Sequence, residues 1–213
     1  MTGMRVALLV DIVDSRALHD RALAQSAILE AFHGAARGIP VEVPLWATVG
    51  DEFQAVFATV ADAVRATALV RLALPVEIDC RFGLGEGEMR EVGEGNRGPI
   101  YDGSAWWRAR EALDRVERDQ ERTAPYARTW LIGEQSDAER VGALTAHLLL
   151  RDHLIGTMSP RARRLAAGTL SGATQSELAA RERISQSAVS QNLRRSGAAA
   201  LVAADRALAG ESA

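Results

Sequence analysis

The chain alternates between short apolar runs and longer amphipathic stretches. Arg5 to Ile12 (RVALLVDI) is almost unbroken in apolar residues, the pattern of a strand covered on both faces. From His19 to Ala36 the apolar residues Leu23, Ile28, Leu29 and Phe32 recur at roughly helical spacing, and Gly38 with Pro40 ends that helix. Val41 to Thr48 and Phe53 to Phe57 read as two strands flanking Gly50-Asp51-Glu52, a hairpin signal. A second helix over Ala61 to Leu74 stops at Pro75, and Val76 to Gly87 alternates as a strand through Val76, Ile78, Cys80, Phe82 and Leu84. A glycine-rich loop (Gly93, Gly95, Gly98, Pro99) then precedes a long helix over Gly103 to Arg122, and Arg128 to Ile132 supplies a last strand. This order predicts an α+β protein with a ferredoxin-like or palm-type sheet.

The remainder predicts only helices. Ser136 to Ile155 forms a connecting helix, and the chain breaks between Thr157 and Pro160. Ser159-Pro160 opens the next helix and Gly172 stops it. Thr174-Gln175-Ser176-Glu177 is a capping box that starts a short helix to Glu182, and after a tight turn Ser185 caps a second helix through Arg195. Ala179 is small where the two must cross, and Ile184, Val189 and Leu193 are apolar where they face a core, which makes the pair a helix-turn-helix. An Ala-rich helix over Ala198 to Ala209 closes the chain. The expected organisation is a palm-like α+β domain over 1–134, a connecting helix over 135–157, and an all-α helix-turn-helix domain over 158–213 that binds DNA.

Charge sharpens this division. The formal net charge is -3, yet from Arg151 onward there are nine arginines against five acids, +4, which leaves -7 for the rest. A basic end on an acidic body fits a DNA-facing module, though a solvated helical face would carry the same charge. All 25 basic residues are arginine. Cys80 is the only cysteine, so a disulfide framework and a multi-cysteine zinc site are excluded. No apolar run approaches the roughly 18 residues needed to cross a bilayer, and the expectation is a cytoplasmic protein without membrane contact. The histidines at 19, 33, 147 and 153 lack ligand spacing.

Asp11 ends the first strand, and Asp51 and Glu52 lie in the hairpin turn. If these strands are neighbours, three carboxylates meet at one edge, with Asp14 near. Mg²⁺ is usually held by one or two carboxylates together with substrate phosphates. Gly50 lets the backbone approach a phosphate without a side-chain clash. Arg81, Arg108 and Arg110 offer forked donors suited to phosphate, while Arg108 and Arg110 could instead pair with Glu111 and Asp114 along their own helix. Of the adjacent Trp106 and Trp107, one is expected in the core and the other at an interface. At the helical end Gln175, Ser185, Gln186, Ser187, Ser190 and Gln191 are the candidate DNA-reading residues, with Arg194 and Arg195 gripping phosphate.

DIVDS at Asp11 to Ser15, GDEFQ at Gly50 to Gln54, RFGLGEG at Arg81 to Gly87 and WWRAREAL at Trp106 to Leu113 together resemble the SatD family of bacterial proteins, over nearly the whole chain. More distantly, the first three motifs resemble class III nucleotide cyclases and GGDEF diguanylate cyclases. That resemblance implies Mg²⁺ or Mn²⁺ at Asp11 and Asp51, with the Ile12 carbonyl as a further oxygen; Glu52 is a further candidate metal ligand, and Ser15, Gly50, Arg81, Arg108 and Arg110 are the candidate nucleotide contacts. The departures are the absence of an asparagine in the later helix and of any lysine. Losing one preorganised donor to the transition state costs about 10²-fold in rate, so binding is the expectation that survives and turnover gains no support. TQSELAARERISQSAVSQNLRR resembles the DNA-reading region of sigma factors, departing from it at Glu182 and at Arg183, where glycine is usual.

Two functions of different class follow. One is a DNA-binding transcriptional regulator, a homodimer on double-stranded DNA, whose palm domain binds a nucleotide and a divalent metal. The other is a Mg²⁺-dependent nucleotidyl cyclase or nucleotidyltransferase with a helix-turn-helix accessory domain. A scaffold whose sheet has lost its ligand is a third, plainer reading.

Overall fold

β1 (Gly3–Ile12) occupies the middle of the sheet because it is apolar on both faces. Val6, Leu8, Val10 and Ile12 point into one layer of the core, and Ala7 and Leu9 into the other. The protein is described by a computed structural model covering residues 3–15, 18, 20–48, 51–95 and 98–210. The expected helix start at His19 lies outside the described residues, and α1 (Arg21–Ala36) is capped by Asp20, whose side chain accepts from Leu23 N at 2.9 Å. β2 (Val43–Ala47) and β3 (Phe53–Phe57) follow, then α2 (Val60–Ala73) and β4 (Cys80–Gly95). β1 lies antiparallel between β3 and β4, and β2 borders β3, which gives the expected βαββαβ arrangement. α1 and α2 cover one face.

The other face carries α3 (Ser104–Arg122). Alternate glycines in β4 make this packing close. A Cβ on Gly83 would lie 2.2 Å from the Ala109 carbonyl oxygen, and one on Gly85 2.0 Å from that of Ala105. Ala105, Ala109 and Ala112 are correspondingly small and fully buried. β6 (Thr129–Ile132) runs parallel to β4 over Phe82 to Gly85.

Two stretches differ from expectation. Residues 75–79 form a turn, with Ile78 N donating to the Pro75 carbonyl at 3.0 Å, so β4 starts at Cys80 and not at Val76. The expected glycine-rich loop is a hairpin: β4 continues to Gly95 and pairs with β5 (Gly98–Asp102), with a register shift between Glu91 and Gly93. Glycine and proline are tolerated there because β5 is an edge strand, and the shift leaves the exposed Val92 as the extra residue of β4.

α4 (Ala138–Thr157), α5 (Pro160–Leu170), α6 (Gln175–Glu182), α7 (Gln186–Arg195) and α8 (Ala198–Leu208) complete the chain. One apolar cluster runs from Leu8 and Phe82 through Leu148 and Leu165 to Val189 and Leu201, so this structure does not show the helical end as a separate domain. Arg65 of α2 reaches it directly, donating to the Leu170 carbonyl at 2.6 Å and pairing with Asp205 at 3.2 Å. A buried polar knot ties the layers together. Asp152 of α4 accepts from Arg71 at 2.8 Å, from Arg151 at 2.9 Å and from Arg128 N at 2.8 Å. Burial opposes ionisation of Asp152, but Arg151 and Arg71 outweigh it and hold the carboxyl below its ordinary range. Among the described residues, no helix is long and apolar enough to cross a membrane.

Candidate functional site

β1, the β2–β3 connection and the start of β4 meet at one rim of the sheet. Register does this: Val10 pairs with Phe53, and Asp11 with Arg81. Asp51 and Glu52, immediately before β3, therefore reach the edge where Asp11 leaves β1. Asp11 lies on the same face of β1 as Ala7 and Leu9, the face covered by α3. That helix passes over Gly85 and Gly83 first, so its later turns, at Glu117 and Gln120, arrive over Arg81.

The resulting cluster is densely bonded. Arg81 Nη1 donates to Asp11 Oδ2 at 2.9 Å and lies 3.6 Å from Glu117, while its Nε donates to Gln120 Oε1 at 2.7 Å. Arg110 donates to both oxygens of Glu52, each at 2.7 Å. Burial raises the Asp11 carboxyl above its ordinary value, Arg81 opposes the rise, and the negative charges of Asp51 and Glu117 add to it.

This donor set fits a cation of one particular kind. Among the described residues, no three His, Cys, Asp or Glu side chains form a metal cage. Glu52 is fully occupied by Arg110, and one oxygen of Asp11 by Arg81. The other Asp11 oxygen and the Asp51 carboxylate remain, and their mutual repulsion is what a cation would relieve. Two carboxylates suit an ion that completes its coordination with ligand phosphates and water.

The other expected residues are placed as follows. The Ile12 side chain is buried in the opposite layer, with α1 and α2. Ser15 accepts Arg21 Nε on its carbonyl at 3.1 Å. Asp14 is exposed and left-handed, with φ 52°. Gly50 lies outside the described residues. Arg108 does not join the cluster: it sits at the far end of α3, donating to the Glu86 carbonyl at 2.7 Å and pairing with Glu134. The alternative pairing of Arg108 and Arg110 with Glu111 and Asp114 gives way to Glu134 and Glu52, partners from other elements. Trp106 stacks edge-on against Trp46 at 6.1 Å, while Trp107 is 69% exposed. Gln120 and Glu117 were not anticipated from sequence. The stripe Ala105, Ala109, Leu113, Val116 continues through them at helical spacing, and that was the available signal.

A second candidate surface lies on α6 and α7. Thr174 and Glu177 form the expected capping box, and Ser185 Oγ caps α7 by accepting from Ala188 N at 3.1 Å. The turn between the helices keeps its left-handed residue although glycine is missing: Arg183 has φ 54° and ψ 47°. Gln175, Ser185, Gln186, Ser187, Gln191, Arg194 and Arg195 are exposed, and Ser190 is half-buried. Ser187 is tied to Ser185, Oγ to Oγ, at 2.8 Å. No acid pairs with Arg194 or Arg195 among the described residues, whereas Glu182 is paired by Arg164 at 2.7 Å and by Arg161 at 3.5 Å.

Residues 5–145 match the SatD family (SatD), and the chain belongs to that family. The match spans the sheet and ends within α4. No curated protein matches the sequence. Among solved structures the chain is similar to a bacterial light-regulated adenylyl cyclase at 14% identity and TM-score 0.42, over 65% of this chain and 44% of that one. It is also similar to the adenylyl cyclase CyaB from P. aeruginosa, at 14% identity and TM-score 0.37, over 57% of this chain and 83% of that one. For the catalytic core of a rhodopsin-guanylyl cyclase in complex with ATPalphaS the identity is 18% and the TM-score 0.35, over 54% and 71% of the two chains.

Proposed function

We propose that the rim formed by Asp11, Asp51, Arg81 and Arg110 binds a nucleoside polyphosphate together with Mg²⁺ or Mn²⁺. The convergence of carboxylates from β1 and the β2–β3 connection beside two forked arginines supports this reading. Asp11 and Asp51 would hold the cation, which supplies charge neutralisation for the phosphates. Arg110, 48% exposed in its side chain, would turn from Glu52 toward a phosphate, while Arg81, fixed by Asp11 and Gln120, keeps the Asp11 carboxylate oriented. Titration calorimetry with ATP and GTP, with and without Mn²⁺, tests it. Binding should require the cation and weaken by at least about tenfold in Asp51→Asn, the scale of one lost charged contact. Affinity indifferent to both cation and Asp51 would overturn it. Pyrophosphate release in the same mixtures reads the alternative, nucleotidyl cyclase or transferase activity.

A second reading, duplex DNA bound by α7, is favoured by one observation: a neutral hydrogen-bonding face at Gln186, Ser187 and Gln191 lies open beside Arg194 and Arg195, with which no acid pairs among the described residues. Glutamine can pair with adenine in the major groove and arginine with phosphate. One α7 per chain gives a small contact area, so this reading includes a homodimer and makes the protein a transcriptional regulator. Gel shifts on genomic fragments at two salt concentrations test it, and equal affinity for every fragment would argue against it.

A further inference from the structure

We infer that Arg183 is a second phosphate anchor of the α7 face, so that duplex DNA would be gripped at both ends of that helix; the inference rests on the DNA reading above. Arg183 holds φ 54° and ψ 47°, a backbone conformation that glycine adopts freely and a side chain disfavours. Within the described residues nothing compensates it: its side chain is exposed and makes no hydrogen bond or ion pair. The fold needs only the backbone of this residue, whose N–H donates to the Ala180 carbonyl at 3.4 Å, and glycine would supply that bond without strain. A long cation kept at the turn is therefore not explained by folding.

Its position relative to α7 supplies the explanation. Arg183 precedes the first residue of α7 and Arg194 and Arg195 end it, while the exposed face between carries only glutamine and serine. The 10 residues of α7 rise about 15 Å at about 1.5 Å each. The major groove of B-DNA is about 12 Å wide. Cations at the two ends of such a helix reach the backbones on either side of the groove while the neutral middle faces the base edges. Arg161 and Arg164 are nearby but committed to Glu182, so they do not duplicate the role.

The test compares the salt dependence of DNA binding in wild type, Arg183→Gly and Arg183→Asn, using full-length protein. Both replacements tolerate the left-handed backbone and remove the charge. Each should lower the slope of log K against log salt by about one and weaken binding evenly across sequences. The melting temperature should hold or rise in Arg183→Gly. Wild-type binding with an unchanged slope in both variants overturns the anchor and leaves the DNA reading standing. No binding by the wild type removes the DNA reading, and the anchor with it.

Discussion

Arg81 joins Asp11 to Gln120: its Nη1 donates to the Asp11 carboxylate at 2.9 Å and its Nε to the Gln120 side chain at 2.7 Å. The contact spans β1, β4 and α3 and holds a half-buried carboxylate beside Asp51. Replacing Arg81 by alanine should cost about 2 kcal/mol, the range for hydrogen bonds to charged groups. Asp11→Asn should restore part of the loss, because the charge left without a partner is then gone. The pH dependence has a definite sign. Burial raises the Asp11 carboxyl above 3.8, so the folded chain holds this proton more tightly than the unfolded chain. Its contribution to stability is fully present below about 3.8 and declines as pH rises through the folded value. Melting curves of wild type and Asp11→Asn across that range check it, and only the wild type should show the decline.

Asp152 behaves in the opposite way. It is fully buried and held ionised by Arg151 and Arg71. Asp152→Asn leaves two buried arginines without their shared counter-charge and should destabilise the protein by about 3–5 kcal/mol. In the wild type the stabilisation is complete above 3.8 and is lost as pH falls through the depressed folded value. Stability followed by circular dichroism during acid titration should therefore fall progressively from about pH 3.8 downward.

Much of this fold is legible in the sequence because local chemistry decides it. The apolar run at Arg5 to Ile12, the caps at Ser159, Thr174 and Ser185 and the stop at Gly172 are each enforced within a few residues. The rim is half legible. Strand order brings Asp11 to Asp51, but the partners of Arg81 depend on how α3 crosses β4, a matter of side-chain volume between distant segments. Arg108 and Arg110 show the same limit: two positions apart on one helix, they are sent to Glu134 and Glu52 by the tertiary packing of α3. The β4–β5 hairpin is the least legible, since Gly93, Gly95, Gly98 and Pro99 carry turn chemistry wherever they stand.

The glycines of β4 and α4 should respond oppositely to alanine. A Cβ on Gly85 meets the Ala105 carbonyl oxygen at 2.0 Å and the Ala109 nitrogen at 2.2 Å, backbone atoms that cannot rotate away. Gly85→Ala must push α3 off the sheet and should cost about 3 kcal/mol, the upper range for overpacking. Gly142 lies in α4 with nothing within 4 Å of its would-be Cβ. Gly142→Ala should stabilise by about 0.5–1 kcal/mol through helix propensity alone. Urea denaturation of the two variants reads both signs, and similar midpoints would contradict the close α3–β4 contact.

The capping box of α6 offers a last comparison with the turn that ends it. Thr174 Oγ1 accepts from Glu177 N at 3.2 Å, while the Glu177 carboxylate accepts from Thr174 N at 2.8 Å. Thr174→Ala removes one half of this exchange and should cost about 1 kcal/mol. α6 has only 8 residues, too few to persist on its own, so its ends matter more than its middle. Arg183 in the left-handed conformation at the other end costs about 1 kcal/mol. Thr174→Ala and Arg183→Gly should therefore nearly cancel when combined, because they act on opposite ends of one short helix without touching. Hydrogen exchange at Leu178 and Ala179, the buried residues of α6, should slow in Arg183→Gly, quicken in Thr174→Ala and return close to wild type in the double variant.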